Sequence, residues 1–129
     1  MKLETEGKQV IHEPKEFQVK RVIKSLKSYG SSSYASLTDA EGSYVQVAGG
    51  GASCMIERYD FAQKKRFRAF HDNPSAVRPD GAILSFRAGN IPMKSDEWFM
   101  SGKVEEVFVA FLNGAELPAD VHWRDAPGF

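Results

Sequence analysis

The stretch from Ser33 to His71 constrains the fold more than any other part of the chain. It reads as four consecutive antiparallel strands separated by three turn signals, Asp39-Ala40-Glu41-Gly42, Gly49-Gly50-Gly51 and Phe61-Ala62-Gln63-Lys64. A Gly-Gly pair suits a two-residue hairpin turn, where the backbone needs positive φ. Centring that turn on Gly50 and Gly51 sets Leu37 opposite Val45, Ala35 opposite Val47, Val45 opposite Ile56 and Val47 opposite Cys54, with Ile56 opposite Ala69 further on. Side chains alternate along a strand, so these residues form one apolar face. The other face then carries Thr38, Tyr44, Gln46, Met55, Glu57, Tyr59, Arg66, Arg68 and Phe70. In this register Glu57 faces Arg68, Tyr59 faces Arg66 and Tyr44 faces Glu57. The second face is expected to point outwards. Its cross-strand pairs read as an ordinary solvated face, and its Tyr, Met and Arg content also fits a protein-docking surface.

The flanks supply the cover for the apolar face. Residues 2–11 suggest a short edge strand. Glu13-Pro14 opens a helix in which Val19, Val22, Ile23 and Leu26 follow one-sided helical spacing, with Gly30 as its stop. After a loop framed by His71-Asp72-Asn73-Pro74 and Arg78-Pro79-Asp80-Gly81, Ala82 to Arg87 reads as a strand that ends at Gly89-Asn90-Ile91-Pro92. Residues 92–100 read as irregular or a single helical turn, anchored by Trp98 and Phe99. A second helix starts with Ser101 as cap, carries Val104, Val107, Phe108, Phe111 and Leu112 on one stripe, and stops at Gly114. Val121 to Arg124 reads as a last strand. The expected architecture is a single α+β domain over residues 1–129. It has two layers: a mainly antiparallel meander of about five to six strands, with both helices on one face.

Composition narrows the functional classes. Seventeen basic and seventeen acidic side chains cancel, which argues against a dedicated nucleic-acid binder. The charges are unevenly spread: Lys64, Lys65, Arg66 and Arg68 are clustered, and the C-terminal third is acidic. No apolar run approaches the ~20 residues of a membrane helix. Cys54 is the only cysteine, which rules out an intramolecular disulfide and suits a reducing cytoplasm.

No catalytic constellation stands out, and the chain reads as a non-enzyme without cofactor or metal. His12, His71 and His122 lack metal-ligand spacing. His71 beside Asp72 reads as structural rather than as an acid–base pair, and Cys54 points inwards rather than towards an activating group. Gly49-Gly50-Gly51 leads into a strand, whereas a phosphate loop leads into a helix.

The order of elements carries a resemblance. Ser43-Tyr44-Val45-Gln46-Val47-Ala48-Gly49-Gly50 is followed by the charged strand from Ile56-Glu57-Arg58. The chain closes on Val104-Glu105-Glu106-Val107-Phe108, Phe111-Leu112-Asn113-Gly114, Leu117-Pro118 and Val121-His122-Trp123. Over most of its length this resembles the immunity proteins of bacterial polymorphic-toxin systems, in particular the α+β family found beside deaminase and nuclease toxins. The resemblance implies a cytoplasmic inhibitor that binds a cognate toxin stoichiometrically. The neutral net charge departs from the acidic character usual for inhibitors of nucleases. Contact candidates are Tyr44, Glu57, Tyr59, Arg66, Arg68 and Trp98. An alternative is a small-molecule module, with a pocket between sheet and second helix lined by Phe67, Phe86, Phe108, Phe111 and Trp123. Another is a mobile-element protein of the integron-cassette type, acting as a homodimer.

Overall fold

A computed structural model describes residues 1–127. The single-domain reading of 1–129 therefore includes two residues, 128 and 129, that lie outside the described residues. The strands are β1 (Lys2–Thr5), β2 (Ile11–His12), β3 (Tyr34–Thr38), β4 (Tyr44–Gly50), β5 (Ser53–Asp60), β6 (Lys65–Phe70), β7 (Ala82–Phe86), β8 (Gly89–Met93) and β9 (His122–Asp125). The helices are α1 (Glu16–Ser25) and α2 (Ser101–Leu112). Among the described residues seven strands form one antiparallel sheet in the order β2-β1-β3-β4-β5-β6-β9, and β7 and β8 form a separate hairpin. The α+β class and the central meander are as expected, with more strands than anticipated.

Both helices cover the apolar face. Val19, Val22, Ile23 and Leu26 pack with Val104, Val107 and Phe108 onto Leu37, Val45, Val47, Ile56 and Ala69. α1 starts later than Pro14: the Lys15 N–H donates to Gln18 Oε1 at 2.8 Å and caps it. It also ends before Gly30, because Leu26 turns extended and is buried against the sheet. At α2, Met100 takes the cap position expected for Ser101, and the Ser101 N–H donates to Gly51 O at 2.8 Å. Gly114, at φ +64°, follows its end.

The β3–β4 and β5–β6 registers hold as read: Ala35 with Val47 and Leu37 with Val45, then Glu57 with Arg68 and Tyr59 with Arg66. The β4–β5 register does not. Val47 faces Ile56, Gly49 faces Cys54, Val45 faces Arg58 and Tyr44 faces Tyr59. The turn sits on Gly51 and Ala52, one residue further along, so every partner slides by two. A slide of two keeps each side chain on its face, which is why the apolar face survived the error. The cause is Gly50. Its α-carbon lies so close to the Leu26 and Lys27 backbone that a Cβ there would collide, so Gly50 is held in the ladder and is not free to turn.

The β7–β8 hairpin corrects the two-layer expectation. Leu84, Ile91 and Met93 pack on Ala48 and Met55, with Phe86 and Trp98 alongside, and this forms a second core on the outer face. The stretch Gly89–Met93, read as a terminator, is itself a strand. Pro92 is tolerated because it sits on the exposed side of a two-stranded ribbon, between inward Ile91 and Met93. Among the described residues no helix is long and apolar enough to cross a membrane.

Candidate functional site

The hairpin divides the outer face into a covered part and an open part. Under the cover, Glu57 and Arg68 are only 2 % and 1 % exposed, so they cannot be contact residues as expected. Arg68 Nη1 donates to Pro92 O at 3.2 Å and lies 3.5 Å from Glu97 Oε1. Glu97 is equally buried; Oε1 also accepts the Lys94 N–H at 2.7 Å, and Oε2 lies 3.4 Å from Arg124 Nη1. Arg124 Nη2 then pairs with Asp96 Oδ2 at 2.6 Å, and its guanidinium lies 4.0 Å from the Phe70 ring centre. Gln46 Nε2 donates to Glu57 Oε1 at 2.9 Å. Burial pushes the Glu57 carboxyl above its ordinary range, opposed by Arg68, Arg66 and the Gln46 hydrogen bond. This network fastens the hairpin and the 94–97 segment to the sheet. It is structural, because buried charges persist only when paired and hydrogen-bonded.

The open part keeps three expected residues together. Tyr44 and Tyr59 are cross-strand partners whose rings stack 5.3 Å apart at 23°. Arg66 faces Tyr59 from β6 and is exposed. Lys64 and Lys65 complete one side of a hollow of about 530 Å³, and Asp125, Ala126 and Pro127 complete the other. Three cations thus surround it against one carboxylate, Asp125. Rigid turns hold the rim. Asp39 Oδ1 accepts the Glu41, Gly42 and Ser43 N–H groups, Asp60 Oδ1 accepts those of Ala62 and Gln63, and Ser43 Oγ accepts that of Phe61. A stacked aromatic pair on a fixed strand pair, with guanidinium and ammonium groups around it, can seat an apolar anchor and neutralise carboxylates beside it.

Trp98 does not join this group. It is half-buried, with the Arg78 guanidinium 4.2 Å from its ring centre, and it lines other hollows with His71 and with Ser53. The alternative pocket also separates. Phe67 and Trp123 hold Arg58 against their rings, at 4.4 and 5.1 Å, on the helix-covered face; Phe108 is core and Phe111 packs at its edge. Phe86 lies on the opposite side of the sheet. Lys64, Lys65 and Asp125 were not expected at the site. The Lys64-Lys65 run beside the third turn was the usable signal, whereas Asp125 depends on β9 pairing with β6.

The chemistry-bearing side chains are otherwise engaged. His71 Nε2 lies 2.8 Å from Trp98 O and Nδ1 accepts the Asn73 N–H, so both ring nitrogens are engaged. Asp72 pairs instead with His122 at 3.0 Å, in solvent. Burial pushes the Cys54 thiol up to about 12, so it is inert as a nucleophile at neutral pH. Among the described residues no group of three or more His, Cys, Asp or Glu could hold a metal ion.

The chain matches no protein-family model, no curated protein and no solved structure.

Proposed function

We propose that this is a non-enzymatic cytoplasmic protein that binds another protein through the open part of its outer face, as an immunity-type inhibitor of a toxin. The observation that carries the reading is the stacked Tyr44–Tyr59 pair ringed by Lys64, Lys65 and Arg66. Aromatic and arginine side chains supply most of the binding energy at protein interfaces. The surplus of positive charge selects a partner segment carrying carboxylates next to an apolar side chain. Tyr44, Tyr59 and Arg66 are the anchors retained from the sequence reading. Glu57 and Arg68 are buried in the covered part of the face and are not anchors, and Trp98 plays no part.

The test is a Tyr59→Ala, Arg66→Glu double variant, co-expressed with the product of the adjoining upstream gene, which this reading expects to be a toxin. Pull-down and cell survival are the readouts. Both positions lie outside the cores, so the variant should fold. The expected result is loss of capture and of protection, at a cost of about 2 kcal/mol or more per anchor, roughly thirtyfold in affinity. Undiminished protection by a folded double variant would rule this surface out.

A further inference from the structure

A second space on the outer face has a different character. Between the β7–β8 hairpin and β4–β5 lies a hollow of about 370 Å³. Ala48, Met55, Ile91 and Phe86 make its apolar wall, and Gln46 and Glu57 its polar one. Small-molecule sites commonly measure about 300–1,000 Å³ and combine apolar walls with a few fixed polar groups. The polar wall here is incomplete. Glu57 Oε1 accepts from Gln46, but Oε2 is buried and has no hydrogen-bond partner among the described residues. A buried carboxylate oxygen without a donor is costly, and cores normally avoid it. Arg68, opposite Glu57 on β6, lies against Glu97 and Pro92 O through Nη1. The further cation beside Glu57, Arg66, is exposed.

We propose that this hollow binds a small apolar primary amine. Its ammonium donates to Glu57, and its hydrocarbon body fills the space against Met55, Ile91 and Phe86. The charge selects a cation, and the volume and apolar wall select a compact hydrophobic body. A bond between ammonium and carboxylate is about twice as strong as a neutral one. The site is separate from the tyrosine pair and does not depend on it.

Phenethylamine and its neutral counterpart phenethyl alcohol are suitable probes for the full chain. Binding is followed by chemical-shift titration of the Gln46, Glu57, Gly89 and Asn90 amides. The amine should perturb these amides and bind about tenfold tighter than the alcohol or better. In Glu57→Gln that preference should fall to about onefold while the alcohol's affinity is unchanged. Ala88→Trp, at the exposed rim, should weaken both ligands without touching either core. Amine binding should also tighten as pH rises through the Glu57 titration, whereas alcohol binding should stay level. The charged groups facing Glu57 are Arg68 and Arg66 from β6; Tyr34 lines the rim, and Gln46 and Asn90 are neutral. Equal affinities in the unsubstituted protein, a preference for the alcohol, or shifts confined to other amides would each overturn the proposal.

Discussion

Gly50→Ala tests how the helical layer is fixed to the sheet. A Cβ at Gly50 would sit 2.7 Å from the Lys27 nitrogen and closer still to the Leu26 carbonyl. These are backbone atoms and no rotamer change relieves the overlap. The chain after α1 must lift, carrying Leu26, which is 2 % exposed, away from its contacts. Overpacking of this kind costs about 1–3 kcal/mol, and exposing a leucine side chain costs about 1.5–3 kcal/mol when complete. Partial relief of each gives about 3–4 kcal/mol. Gly51→Ala is the internal control. Gly51 has φ +63° with nothing within 4 Å of its virtual Cβ. Only the left-handed conformation is penalised, by about 1–2 kcal/mol. Urea unfolding followed by the fluorescence of the half-buried Trp98 and Trp123 resolves the two. With a slope of about 1.5 kcal/mol/M, Gly50→Ala should lower the midpoint by about 2–2.7 M and Gly51→Ala by about 1 M. A turn centred on Gly50 and Gly51 predicts similar losses at both positions. Equal midpoints, or a larger loss at Gly51, would refute the close-approach account.

Three further outcomes follow from burial. Arg68→Ala should cost about 3–5 kcal/mol in urea unfolding, because it takes a cation from the buried carboxylates of Glu57 and Glu97, whereas Arg66→Ala on the same strand should stay within about 0.5 kcal/mol. The Cys54 thiol should resist a disulfide reagent at pH 8 until denaturant unfolds the chain; rapid labelling of the native protein would contradict its placement. For Glu57, the folded carboxyl titrates above its unfolded counterpart, so in that window the folded state binds more protons. Stability should therefore fall as pH rises from the ordinary carboxylate range through the raised folded value, and Glu57→Gln should flatten that limb in pH-dependent thermal unfolding. An unchanged limb in the variant would show that another group governs it.

The apolar face was readable because alternation is a local property: Leu37, Val45, Val47, Ile56 and Ala69 share a parity that turn placement one residue out cannot break. The partner across each rung was not readable. It depends on the turn, and Gly49-Gly50-Gly51 satisfies two turn positions equally well by conformation alone. The Leu26–Lys27 backbone over Gly50 decides between them, and that contact joins residues far apart in sequence. Pro92 concealed β8 in a similar way. Proline normally argues against a strand, although the inward spacing of Ile91 and Met93 around it was already visible.

The outer face shows why a site is harder to read than a fold. Parity assigns Glu57, Tyr59, Arg66 and Arg68 to one surface, but it carries no information on which part of that surface another element covers. The hairpin comes down over Ala48 and Met55 and stops short of Tyr44 and Tyr59, so two arginines two residues apart on β6 acquire opposite roles. Arg68 becomes a buried tie to Glu97, and Arg66 stays at the edge of the open hollow. The covering strand was recognisable in part, since Ile83, Leu84 and Phe86 are apolar. Its docking side was not, because an apolar ribbon can bury itself on either face. What favours the outer face is that α1 and α2 already occupy the inner one. The covered network and the open tyrosine pair therefore share one origin: the hairpin can use only the surface the helices leave, and the part it does not reach remains available to a partner.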